Sequence, residues 1–371
     1  MTERADLDPA RALLRRAIAN KTFPAAVAEV GDSEGVFWRE AFGRLTFSDD
    51  SHATEQDTLF DLASLTKPIA TTAVILHLSS IKRMSVDEPV ALSLDEWRGD
   101  DRAPATIRDL LEHAAGLSAR LVDPPPESRR EFEHEICTMP LEYEVRSKSV
   151  YSDLGFILLG FLAEDRGEAS LDAQFGALRN RLPTDSEDGG VLAFGVPAES
   201  RGTTAPTRAL AEDVRRGQLL AGVVHDNYAA ALGGVAGHAG LFGNAAGVGA
   251  YARAVLRAAR EDTSLFPPFT YPWVMVMARK STVPASSRAL GWDTMLPTSS
   301  CGAGMSPVAF GHVGYTGTSL WIDPILNRYF VLLTNRACDG GSLEEMRDVR
   351  RAFHDALVAI DEPANPPKKP S

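Results

Sequence analysis

Three cysteines, Cys137, Cys301 and Cys338, are all that the 371 residues contain, and none lies in a Cys-x-x-Cys spacing. That excludes a disulfide framework and a thiolate metal site, and the three read as reduced structural thiols. Long apolar runs are scarce as well. No stretch approaches the ~20 residues that cross a bilayer as a helix, and the charged opening, residues 1–8, leads into no signal-peptide core. A cytoplasmic protein without a membrane partner is the expectation. Basic blocks are also missing: 50 acidic residues stand against 38 basic ones, for a formal charge of -12. An acidic chain with no Lys/Arg cluster is a poor match for nucleic acid. What remains by composition is a soluble globular chain, long enough for a large core and two lobes within one unit.

Against these absences one stretch stands out, Phe60-Asp61-Leu62-Ala63-Ser64-Leu65-Thr66-Lys67-Pro68, followed by the nearly uncharged residues 69–78. Such an apolar segment predicts a helix running through the interior. Ser64 and Lys67, three residues apart at its mouth, share one face, where helical N–H groups converge with partial positive charge. Pro68 lacks the N–H that would bond the Ser64 carbonyl, and it disfavours the α conformation at Lys67. The α-helix is therefore expected to begin at Pro68, with Ser64 to Lys67 in a tighter 3₁₀ turn that brings hydroxyl and amine together. Taken alone, the same spacing also fits a Ser or Thr helix cap with a surface lysine.

Two further motifs follow in the chain: Tyr151-Ser152-Asp153 ahead of the apolar residues 154–162, and Gly311-His312-Val313-Gly314-Tyr315-Thr316-Gly317 ahead of the strand-like residues 318–323. With S-x-x-K, this set and its order resemble the β-lactamase-related serine hydrolases. That superfamily includes class C β-lactamases, penicillin-binding D,D-peptidases and esterases. Residues 57–60, 106–117, Gly237-His238-Ala239-Gly240-Leu241-Phe242 and Leu290-Gly291-Trp292 extend the likeness over most of the chain.

The resemblance implies that Ser64 is the nucleophile of an acyl-enzyme mechanism, Lys67 its hydrogen-bonded amine and Tyr151 the proton carrier. It also implies that the backbone N–H groups of Ser64 and Tyr315 form the oxyanion hole, with Gly314 letting backbone approach the substrate. His312 stands where many relatives have lysine; as a cation it would orient a substrate anion or the tyrosine. Asp153 departs from the family's asparagine. It cannot donate a hydrogen bond to a substrate carbonyl, it adds a negative charge, and it is expected to ion-pair with Lys67, which weakens the case for β-lactam recognition. His225, Asp226 and His238 are near one another in sequence but fit no metal-ligand spacing, so they read as a loop packed by the cleft. His113 and Gly116 read as a helix end. No metal or organic cofactor is implied. The resemblance implies a small-molecule or peptide-like substrate cleaved at an amide or ester, with peptidoglycan-derived fragments as the leading candidate; a carboxylesterase, a β-lactamase and a non-catalytic sensor module are the alternatives.

The fold expectation is α+β, an α/β sandwich. Residues 25–30 and 36–42 read as a hairpin, and residues 319–323 and 329–334 as strands near the other end. One antiparallel sheet from both termini, flanked by helices that include residues 343–360, is the economical arrangement. The single unit then divides into a sheet lobe, residues 1–67 and 286–364, and an inserted mainly helical lobe, residues 68–285. Residues 183–190 read as a surface loop, and residues 365–371 as a disordered tail.

Overall fold

The computed structural model describes residues 7–182 and 189–358; the expected tail and most of the 183–190 loop lie outside them. Its main sheet draws strands from both ends of the chain. β1 (Ala25–Gly31) and β2 (Val36–Gly43) form the hairpin, closed where Asp32 Oδ1 accepts the Glu34 and Gly35 N–H groups at 2.7 and 3.0 Å. β3 (Asp293–Thr294), β4 (Phe310–Val313), β5 (Ser319–Asp323) and β6 (Arg328–Thr334) complete it in the order β2-β1-β6-β5-β4-β3, every pair antiparallel. Ala26 faces Thr334, so the two ends of the chain meet in the middle of the sheet.

The strands are apolar on both sides, and period-two geometry sorts the residues. Val27, Leu320, Ile322, Val331 and Leu333 point into the larger core, which includes the inserted helices. Ala26, Ala28, Val30, Trp321, Phe330 and Leu332 point the other way, under α1 (Asp8–Ala19) and the closing helix Leu343–Val358. A sheet buried on both faces between helical layers is the expected sandwich. The middle of the chain is mainly helical but also holds a small sheet, in which Phe60–Asp61 pairs with Leu241–Gly243, which in turn pairs with Leu192–Phe194. All three cysteines are buried and unpaired. Among the described residues, no helix is long and apolar enough to cross a membrane.

The segment after Ser64 differs from expectation. Ala63–Leu65 is a 3₁₀ turn, but Lys67–Thr72 is π-helical, and regular α-helix, α2 (Ala73–Ser80), begins five residues later than Pro68. Proline removes one N–H of the ladder, and the wider π turn takes up the mismatch. Every residue from Lys67 to Thr72 is buried.

Candidate active site

The Ser64 turn is held from two sides. Ala63 has φ of 48°, a left-handed conformation costly for a residue with a side chain. Its N–H donates to buried Asp61 Oδ1 at 2.8 Å, and Asp61 Oδ2 takes the His225 N–H at 2.6 Å. On the other side, the turn after β4 is bonded directly to the segment that leads into Ser64: Thr316 Oγ1 donates to the Asp61 carbonyl at 2.8 Å and Thr318 Oγ1 to the Leu62 carbonyl at 3.0 Å. Gly314 permits that approach, since a Cβ there would sit 2.1 Å from Thr318 Oγ1 and 2.6 Å from the Leu62 oxygen. Tyr315 is fixed through its carbonyl, which accepts from Arg336 Nη2 at 2.7 Å, and its ring stacks on His225 with centroids 5.4 Å apart.

Lys67 lies wholly inside, with all three ammonium protons engaged. They go to Ser64 Oγ at 3.0 Å, Asp153 Oδ1 at 2.8 Å and the His238 carbonyl at 3.1 Å. Burial opposes its charge, but Asp153, and after it Tyr151, override the penalty and hold the lysine above its ordinary range. A saturated ammonium can donate to Ser64 but cannot take its proton. Asp153 opens the helix Asp153–Gly167, and its second oxygen accepts Arg120 Nη1 at 2.8 Å. Despite burial, Lys67 leads the neighbours that keep this carboxyl below the usual range.

Tyr151 lines the same pocket. Its ring centroid is 5.0 Å from Lys67 Nζ and 5.1 Å from the Arg288 guanidinium carbon. Its hydroxyl closes no hydrogen bond to Ser64 in this structure, so of the contacts expected at Ser64 only the lysine's is made. Two imidazoles pack on the tyrosine, His113 at 4.7 Å and His312 at 5.9 Å between centroids. His312 is not the cation the sequence suggested. Burial, with Arg288 and Lys67 beside it, pushes its pKa well below the histidine range. Its Nδ1 lies 2.9 Å from the Val313 carbonyl and so carries the proton, leaving Nε2 as a buried lone pair without a partner among the described residues. His113 is the complementary tautomer. Its Nδ1 accepts the Ser152 N–H at 3.1 Å, so its unpartnered Nε2 carries the proton, and burial keeps it neutral as well. The helix-end reading of His113 therefore missed a ring that flanks Tyr151.

His225 and the Asp226–His238 pair part company: His225 stacks on Tyr315, while His238 Nε2 meets Asp226 Oδ1 at 2.7 Å. No cluster of metal-ligating side chains occurs among the described residues. Sequence reasoning did not single out Arg120, Arg288 or Asp61. No local motif marks them; a carboxylate just ahead of the serine was the one available clue.

A family model described as Beta-lactamase matches residues 10–354. The N-acetylmuramyl-L-alanine amidase of Bacillus subtilis (strain 168) is 29% identical over 348 residues, covering 85% of this chain and 77% of the relative. A provisionally named D-alanyl-D-alanine carboxypeptidase of Escherichia coli (strain K12) is 30% identical over 335 residues, covering 81% and 76%. Among solved structures, a class C β-lactamase from Rhodobacter sphaeroides aligns with a TM-score of 0.72 at 18% identity, covering 95% of this chain and 99% of that one, a likeness of fold.

Proposed function

Because the chain belongs to the β-lactamase family of serine hydrolases, we propose that it cleaves an amide bond in peptidoglycan-derived peptides, with Ser64 as nucleophile. The observation that carries this reading is the Lys67 ammonium, saturated by three acceptors of which one is Ser64 Oγ. Tyr151 is the proton carrier. As the Ser64 oxygen adds to the substrate carbonyl carbon, its proton passes to the Tyr151 oxygen, which acts as general base. The C–O bond forms, the carbonyl becomes an oxyanion, and the Ser64 and Tyr315 N–H groups receive it. Collapse expels the amine, which takes the proton from Tyr151 and leaves an ester on Ser64. Water then repeats the sequence, releasing the acid and restoring the serine. The amidase and carboxypeptidase relatives support an amide in a muropeptide as the bond cleaved.

The test is turnover of muropeptides, a nitrophenyl ester and a chromogenic β-lactam, each with Ser64→Ala as control. Release of amino acid or peptide from muropeptides by the wild type alone supports the reading. Turnover of the ester with no muropeptide cleavage would make the protein a carboxylesterase, and no turnover with no acyl adduct by mass spectrometry would make it a binding module.

A further inference from the structure

Around Lys67 the charges form a closed circuit. Asp153 bridges Lys67 and Arg120 at 2.8 Å each. The same Arg120 nitrogen reaches Asp226 Oδ2 at 2.9 Å, and Asp226 Oδ1 meets His238 Nε2 at 2.7 Å. The His238 carbonyl returns to Lys67 at 3.1 Å. Arg120 is further fixed by Asn227 Oδ1 at 2.7 Å and by the Tyr228 ring, 4.0 Å beneath its guanidinium carbon.

We propose that Asp226, which touches neither Ser64 nor Lys67, is a positioning residue for that pair, acting through Arg120 and Asp153 on one side and through the His238 loop on the other. The proposal rests on reading Lys67 as the cationic partner of the nucleophile. The argument is one of competition. Arg120 and Lys67 both draw on Asp153, and a carboxylate shared with a second cation holds each less firmly. Asp226 takes half of Arg120, leaving Asp153 free to serve Lys67. It also anchors the His238 side chain, whose carbonyl is the third acceptor of the ammonium. The other charged or titratable groups facing Lys67 are Tyr151, with His113 and His312, both neutral, and Arg288 behind it. None of these supplies a second carboxylate.

Lys67 is read directly by NMR titration of protein labelled with ¹³C at lysine Cε, its signal assigned with Lys67→Arg; no turnover is needed. In Asp226→Asn the Lys67 midpoint is expected to fall by about one pH unit, because Arg120 then commits to Asp153. In Arg120→Gln, which removes the competitor, it does not fall, and Asp226→Glu recovers most of the loss. A residue that only holds the fold would reduce the folded fraction without moving the midpoint. An unmoved midpoint in Asp226→Asn, or a fall in Arg120→Gln, overturns the proposal; should Asp226→Asn not fold, Arg120→Gln decides by the same criterion. An inactive wild type, by contrast, would defeat Ser64 as nucleophile and leave this titration readable.

Discussion

Asp153 shows how much one side chain's meaning depends on partners distant in sequence. Asparagine at this position would keep an oxygen for Lys67 but turn an N–H₂ toward Arg120, donor against donor. Breaking a mostly buried pair by removing one charge costs about 3–5 kcal/mol, so Asp153→Asn is expected to lower the melting temperature clearly, and any gain in penicillin acylation relative to ester hydrolysis should require Arg120→Gln as well. An Asp153→Asn protein as stable as wild type would show that the carboxylate is not held as described. Tyr151→Phe keeps the ring packed on His113 and removes only the hydroxyl. Turnover should drop by roughly 10²–10⁴, the usual yield of general acid–base help, with folding unchanged by circular dichroism. Undiminished activity would shift the proton to another carrier. The contact between Ser64 and Lys67 was legible because their three-residue spacing puts both side chains on one face of the turn. Arg120 was not, since the contacts that define it are to Asp153 and Asp226, 33 and 106 positions away. The charge of His312 was misjudged because burial, not residue type, decides it.

At the level of elements, the informative contact is between the turn after β4 and the turn that carries Ser64. Gly314→Ala would drive a methyl group into Thr318 Oγ1 and the Leu62 carbonyl, forcing the two turns apart by part of an ångström or more. Misplacement of that size costs on the order of 10²-fold in rate. Turnover should therefore collapse further than stability does, a split visible by comparing kcat with the thermal midpoint. Equal modest effects would mean that the turn adjusts. Four of the six main-sheet strands, β1, β2, β5 and β6, were readable to within a residue or so, because turn-rich loops bound them, whereas β3 and β4 were not read as strands. The π-helical segment was not. Proline announces a disturbed ladder, but whether the chain tightens or widens is settled by what packs around it, here Thr71 Oγ1 donating to the Gly237 carbonyl at 2.7 Å.

For the whole molecule, buried imidazoles set an acid limit. His225 and His354 are lowered by burial to about 4, and His113 and His312 are lowered too. An unfolded chain takes up these protons near pH 6.5, the folded one only well below it. The stability they confer is thus present above about pH 6.5 and lost as pH falls toward 4, at about 3 kcal/mol for each of the first two. Asp61 works in the opposite sense: burial raises it to about 6, so its share is present below about pH 3.8 and is lost as pH rises to 6. Burial raises Glu29, Glu112 and Glu133 in the same sense as Asp61, but the four histidines take up their unfolded-state protons within this interval and are expected to outweigh them, so the urea midpoint should be lower at about pH 5 than at about pH 7. A midpoint that rises on acidification would contradict this balance.

Pairing of Ala26 with Thr334 also has a consequence during synthesis. The β1–β2 hairpin leaves the ribosome early, but the strand that covers its inner edge is translated about 300 residues later, roughly 15–60 s at ordinary elongation rates. Throughout that interval the nascent chain exposes one unpaired edge of a strand that is apolar except for Glu29, the kind of edge that recruits other chains. Yield in the cell should therefore depend on holdase chaperones and on translation speed more than equilibrium stability would suggest.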